Sequence, residues 1–208
     1  MDLINKYFSL SEKQQADFKK LLVLYPEWNA QINLISRKDI ANLEERHLLH
    51  SLAIAKFQSF KKGSQILDLG CGGGFPGIML AIFFPDVHFV LVDSRNKKIL
   101  VVNDVIEQLQ LKNAKGLHAR AEELKEIQFD FVVTRAVASI DKLQIWTKHL
   151  IKAKHINTRP NGIIALKGGN IKEEIKALKK SDYTEITPIS SYFEEEFFTE
   201  KFVLYLQH

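Results

Sequence analysis

The chain has 208 residues, 46% of them hydrophobic, with 29 basic and 25 acidic side chains and a net charge of +4. This supports one sizeable α/β domain with a modest extension and is too short for two full domains. The opening residues lack a basic and apolar leader, no window approaches about 18 uninterrupted apolar residues, and the single Cys71 excludes an intrachain disulfide or a cysteine-rich zinc site. The expected setting is the cytoplasm, without a membrane.

Residues 2–62 read as helical. Leu21, Leu22, Leu24, Trp28 and Ile32 recur near three- and four-residue spacing, and Ser11 stands where an N-cap would open the long helix. From Gln65 the texture changes to short apolar runs separated by amphipathic stretches, the pattern of βα units around a parallel sheet. Strands are predicted at 65–69, 87–92, 115–118, 129–134 and 162–166, and helices at 77–84, 95–109, 139–152 and 170–180; segment 121–125 stays unassigned. The final stretch places β-branched and aromatic residues around an acidic turn, which predicts an antiparallel pair closing the sheet. The expected architecture is α/β and Rossmann-like, a mostly parallel seven-stranded sheet in residues 63–208 with a helical N-terminal extension over residues 1–62.

The strongest local signal is QILDLGCGGGFPGIML, where a strand runs directly into Gly70, Gly72, Gly73, Gly74 and Gly77 before a helix. Glycines at such a turn let backbone approach a ligand closely, and they make a cofactor floor. Gly72, Gly74 and Gly77 satisfy the dinucleotide spacing, but a count begun at Gly70 and Gly72 meets Phe75 where the third glycine belongs. Asp68 is awkward beside a pyrophosphate and suits the cationic amino-acid end of S-adenosylmethionine, directly or through water. The arrangement D-x-G-x-G-x-G resembles the first motif of Rossmann-like methyltransferases. Asp93, at the tip of the next strand, stands where an acid binds ribose hydroxyls, and it also suits a helix N-cap. Ala121 and Glu122 follow the third strand, where an adenine ring is usually cradled.

The segments NLISRKDIANLEERHLLHSLAIAKF, ILDLGCGGGFPGIMLAI, LVDSRNKKILVVNDV, ARAEEL, FDFVVTRAVASI and GIIALKGG stand in an order and spacing that resembles the glucose-inhibited division protein B family. Those bacterial enzymes form 7-methylguanosine in 16S rRNA. The resemblance runs from about Trp28 to Gly169. It implies transfer of a methyl group from S-adenosyl-L-methionine to a guanine N7, with 16S rRNA or a small-subunit precursor as partner; a monomer is the working expectation, which the sequence does not fix. It implies cofactor contacts at Gly70, Phe75, Ala121, Glu122 and Arg135, beside the Asp68, Gly72, Gly74 and Asp93 read from the loop. Arg120, Arg135 and Lys167 match the family's basic residues near the reaction centre, and His47 and Ser51 match its N-terminal signature. His50 stands where many members have Asp, and Cys71 replaces a small or hydroxyl residue.

The chemistry agrees without the resemblance. Guanine N7 has an available lone pair at neutral pH, so direct displacement on a sulfonium methyl needs no general base; what remains is alignment and a polar setting for moving charge. A cytosine C5 methyltransferase would need a cysteine nucleophile outside the cofactor loop, and no Asn-Pro-Pro-aromatic turn for amino methylation occurs. N7 in an A-form helix faces a groove that side chains hardly enter, so the acceptor is expected unpaired or extruded, with Phe75, Trp146 or Tyr192 available to stack. His47 reads as a helix-packing residue. Arg135 reads as a ligand of donor carboxylate, guanine or phosphate, or else as a surface partner of Glu122 or Asp141. Residues 142–180 hold ten basic and two acidic side chains, which marks Lys148, Lys152, Lys154 and Arg159 as an RNA-tracking segment or, alternatively, a solvated face. Three rival readings are a small-molecule or protein methyltransferase, a nicotinamide oxidoreductase and a non-catalytic RNA-binding module.

Overall fold

The computed structural model describes every residue except Arg37, Glu126 and Ala136. Its centre is a seven-stranded sheet of β1 (Gln65–Leu69), β2 (His88–Asp93), β3 (Ala114–His118), β4 (Phe131–Arg135), β5 (Gly162–Gly168), β6 (Thr184–Pro188) and β7 (Lys201–Gln207). The order is β3-β2-β1-β4-β5-β7-β6. The first five strands run parallel, and β7 pairs antiparallel with both β5 and β6. Strands β1, β2 and β4 are apolar on both faces because helices cover both sides, so they read as continuous runs rather than alternations. The expected strands and closing pair are all present.

One face is covered by α4 (Gly77–Phe83), α5 (Asn96–Gln108) and the N-terminal helices α1 (Asp2–Tyr7), α2 (Glu12–Gln31) and α3 (His50–Phe57). Phe18, Leu21 and Tyr25 of α2 share one buried cluster with Ile66, Phe89, Phe131 and Tyr205 of the sheet. The other face buries Leu67, Val90, Val132 and Ile163 against Ile140 and Leu143 of α6 (Ile140–Thr147) and against Ile171, which opens the short α7 (Ile171–Ile175). Ser11 does cap α2: its hydroxyl accepts the Gln14 N–H at 3.3 Å, and the Gln14 side chain accepts the Ser11 N–H at 2.9 Å.

Two helices are shorter than the sequence predicts. The run expected over 139–152 is helical only to Thr147 and closes in a 3-10 turn at Lys148–Leu150, and that expected over 170–180 ends at Ile175. In the second, residues 176–180 are largely Lys and exposed, so little apolar surface extends the helix beyond one turn. Segment 121–125 supplies a 3-10 turn at Ala121–Glu123. Between α2 and α3 the chain forms a π-helix at Glu44–Leu49, a wider turn that continues directly into His50.

Candidate active site

The carboxyl ends of β1, β2, β3 and β4 meet around a cavity of about 570 Å³, at the point where the strand order reverses between β1 and β4. Open α/β sheets bind their ligands there. The floor is Gly70, Cys71, Gly72 and Gly73; Asp93, Arg95 and Lys98 stand on one side, Arg120, Ala121 and Glu122 on a second, and Phe75, Arg135, Val137 and Trp146 are among the remaining lining residues.

Two glycines make this loop possible for different reasons. Gly72 has φ +56° and a Cβ there would meet nothing nearer than Lys98 Nζ at 3.6 Å, so its bare backbone faces the open cavity. Gly77 lies under the loop: a Cβ would stand 2.6 Å from Asp68 Oδ2 and 2.7 Å from Leu91, so only glycine lets α4 pack this close to the sheet. Asp93 ties the loop to β2, its Oδ2 accepting the Gly72 N–H and its Oδ1 the Arg95 N–H, both at 2.9 Å. The carboxylate thus steadies the start of α5 while lining the cavity, and each oxygen keeps acceptor capacity.

Asp68 is placed differently from the expectation. It is fully buried beneath the loop, where its Oδ2 accepts the Gly77 N–H at 2.7 Å and its Oδ1 has no partner among the described residues, and it is absent from the cavity wall. Burial pushes its carboxyl up to about 7. Its role in the structure is to hold the strand-to-helix turn. Gly74 likewise lies under the surface, its φ +99° serving the turn and a Cβ there clashing with Ile78.

Arg135 is not a surface residue paired with Glu122 or Asp141. It is partly buried over the Phe75 ring, 4.9 Å from its centroid; Nη1 donates to the Arg46 carbonyl at 3.3 Å and Nη2 to His47 Nδ1 at 2.9 Å. A guanidinium only donates, so His47 Nδ1 accepts and its ring is neutral with the proton on Nε2. Burial, reinforced by the Arg135 charge, holds the His47 imidazole down to about 3. The π-helix therefore does more than pack: it brings His47 against a residue 88 positions away. Phe75 is sealed between Tyr25 and His47, with centroids 4.6 and 5.1 Å away, and Tyr25 Oη donates to the Gly73 carbonyl at 2.7 Å. Its ring is 3% exposed, which leaves no face for an incoming base. Trp146 remains as a cavity aromatic; Tyr192 packs beside Phe193, away from the site.

Arg120 and Glu122 stand exposed at the rim, whereas Ala121 is buried. Lys167 is not in this cavity. It lies in the neighbouring one, donating to the Ala138 carbonyl and to Glu174 Oε1.

The basic segment is not brought to the site. Lys148, Lys152, Lys154 and Arg159 lie between α6 and the start of β5, and Ile151 bridges to Phe129 just before β4 begins, so they occupy the amino edge of the sheet. The cavity is at the carboxyl edge, a strand length of roughly 20 Å away. Lys152 and Arg159 are moreover occupied: Lys152 Nζ binds Asp130 Oδ2 at 3.0 Å, and Arg159 pairs with Glu185 and stacks on Phe57 and Tyr205. Reading the sequence alone misses Leu34, Arg95, Lys98 and Val137 as cavity residues. Arg95 and Lys98 carried a signal, since both follow the Asp93 tip within one turn of α5.

A glycine floor open to close approach, an acid at the β2 tip and a cavity at the sheet's reversal point fit S-adenosylmethionine, and they define a Rossmann-like methyltransferase. Solved structures agree on the fold. A SAM-dependent methyltransferase from Aquifex aeolicus superposes with TM-score 0.59 at 13% identity, covering 84% of this chain and 100% of that one. A mutant of MtNAS in complex with S-adenosylmethionine superposes with TM-score 0.59 at 13% identity, covering 93% and 76%. The family model described as rRNA small subunit methyltransferase G, GidB, matches residues 14–195. The ribosomal RNA small subunit methyltransferase G of Bacteroides thetaiotaomicron is 51% identical over 208 residues, covering 100% of both chains. The chain belongs to the rRNA small subunit methyltransferase G family and is an S-adenosylmethionine-dependent enzyme.

Proposed function

We infer that this enzyme transfers the methyl group of S-adenosylmethionine to N7 of a guanine in 16S rRNA, presented as rRNA or as a small-subunit precursor. The observation that carries the reading is full-length family membership together with a donor cavity at the reversal point of the sheet. Cys71, the one thiol, is buried in the loop, and burial raises it well above the usual thiol range. The bound donor supplies an electrophilic methyl on a sulfonium.

The chain's own residues do the rest by positioning. Gly70 and Gly72 admit the donor close to backbone, Asp93 offers its remaining lone pairs to ribose hydroxyls, and Ala121 and Glu122 flank the adenine. Arg135 has five N–H donors and spends two on Arg46 and His47, which leaves the others for the donor's carboxylate. Arg120, exposed at the rim, meets RNA phosphate. Guanine N7 attacks directly with no covalent enzyme intermediate, and no residue must first remove a proton. Residues 1–62 act as one unit with the 63–208 domain, since α2 and the π-helix close the floor and the Arg135 side of the site.

The test is tritiated methyl transfer to total rRNA from cells lacking the enzyme, followed by nucleoside identification. Label should appear in 7-methylguanosine of 16S rRNA. Label in another nucleoside, or only in protein, would sink the reading.

A further inference from the structure

A second cavity of about 770 Å³ opens at the carboxyl ends of β4 and β5. It shares Val137 with the donor cavity, and its lining includes Lys167, Glu174 and two further carboxylates, Asp141 and Glu173. Its distinctive content is a tethered carboxylate. Glu174 Oε1 accepts the Ile140 N–H at 2.7 Å and Lys167 Nζ at 2.5 Å, and the two side chains are only 20% and 9% exposed. An ionised carboxylate has about four lone-pair sites. Those of Oε1 are filled from inside the protein, while among the described residues Oε2 receives no hydrogen bond.

We propose that this cavity receives the extruded guanine and that Glu174 Oε2 reads its Watson–Crick edge, an inference that rests on the guanine-N7 reading above. Guanine alone among the four RNA bases presents two adjacent donors there, N1–H and the N2 amino group, to match two open lone pairs. Adenine and cytosine set a ring acceptor beside the amino group, and uracil flanks its single N–H with two carbonyl oxygens; each places a lone pair against the carboxylate. N7 lies across the purine from N1 and N2. A base held by Oε2 therefore turns N7 away from the carboxylate, toward the wall shared with the donor. Lys167 is a positioning residue in this arrangement: with the Ile140 N–H it fixes Oε1, which aims Oε2, and it balances the carboxylate charge as phosphates approach.

Inosine isolates the contact because it lacks only the N2 amino group and keeps N1–H, O6 and N7. Once the methylated position is mapped, 16S rRNA is ligated to carry guanosine or inosine there and assembled into small-subunit particles. Single-turnover methylation is then compared at saturating donor. Wild-type enzyme should favour guanosine by about tenfold or more, because a site built around a donor rejects an analogue lacking it. In Glu174→Ala the ratio should collapse toward one, and Glu174→Gln, which keeps size and one acceptor, should fall between. Retained S-adenosylhomocysteine affinity verifies that each variant is folded. A wild-type ratio near one overturns the proposal without any variant. So does an unchanged ratio in Glu174→Ala with both substrates slowed alike, the signature of a purely structural ion pair. Failure of wild-type enzyme to methylate the guanosine particle would instead strike the function reading itself.

Discussion

Gly72 and Arg135 fail in different ways when altered, which separates backbone from side-chain contributions at the residue scale. Gly72→Val puts a branched side chain on a φ of +56° and into the space reserved for ligand, so donor affinity should vanish by calorimetry while the sheet, judged by circular dichroism, survives. Unaltered affinity would move the donor elsewhere. Arg135→Ala removes a cation but leaves the floor intact. A hydrogen bond to a charged partner is worth about 1.5–3 kcal/mol, so methyl transfer at subsaturating donor should fall more than tenfold, and saturating donor should recover much of it. A loss that persists undiminished at saturation would assign Arg135 to the guanine or the transition state rather than to the donor carboxylate.

At the scale of elements, the π-helix joins the N-terminal extension to the chemistry, and its His47 together with His50, which opens α3, gives this junction a pH signature. Burial holds His47 at about 3 and His50 well below its ordinary value, so both stay neutral in the fold while the unfolded chain protonates them near 6.5. Their stabilisation is present above about pH 6.5 and is lost as pH falls below it. Asp68 acts in the opposite sense: raised to about 7, it costs stability progressively from about pH 4 to 7. Two histidines against one carboxyl leave a net fall toward acid. His47→Asn keeps an acceptor for Arg135 without a titrating ring, so the slope of unfolding free energy between pH 4.5 and 6 should decrease by roughly 1.4 kcal/mol per pH unit. A slope equal to wild type in urea titrations would mean that His47 is charged in the folded protein. The parallel strands were legible in the sequence because each is a short apolar run bounded by loops, and the donor loop because glycine spacing is local. The His47–Arg135 contact was not, since it joins residues 88 apart through a π-turn that no periodicity encodes. The burial of Asp68 beneath the loop was not legible either, because a motif gives position along the chain but not which side of the loop a side chain occupies.

At the scale of the whole molecule, the two edges of the sheet carry different parts of the positive charge. A charge count along the chain finds residues 142–180 most basic, but Lys148, Lys152, Lys154 and Arg159 of that segment lie in the connection from α6 to β5, which must run at the amino edge, opposite the site. Arg95, Lys98 and Arg120 gather at the carboxyl edge around the donor cavity, where the acceptor must arrive. Electrostatic affinity should therefore depend on which edge is neutralised. With S-adenosylhomocysteine saturating, the double substitution Lys98→Gln and Arg120→Gln should flatten the log–log salt dependence of rRNA binding by roughly 0.7 for each phosphate of single-stranded RNA that the enzyme no longer neutralises. Lys148→Gln with Lys154→Gln removes the same charge from exposed amino-edge positions and should leave the slope within error. Lys152 is kept out of that pair because its ammonium neutralises Asp130, which is 1% exposed, and its loss would register as instability. If the amino-edge pair flattens the slope as much as the carboxyl-edge pair, the RNA wraps both edges of the sheet, and the approach to the site is wider than the cavity rim.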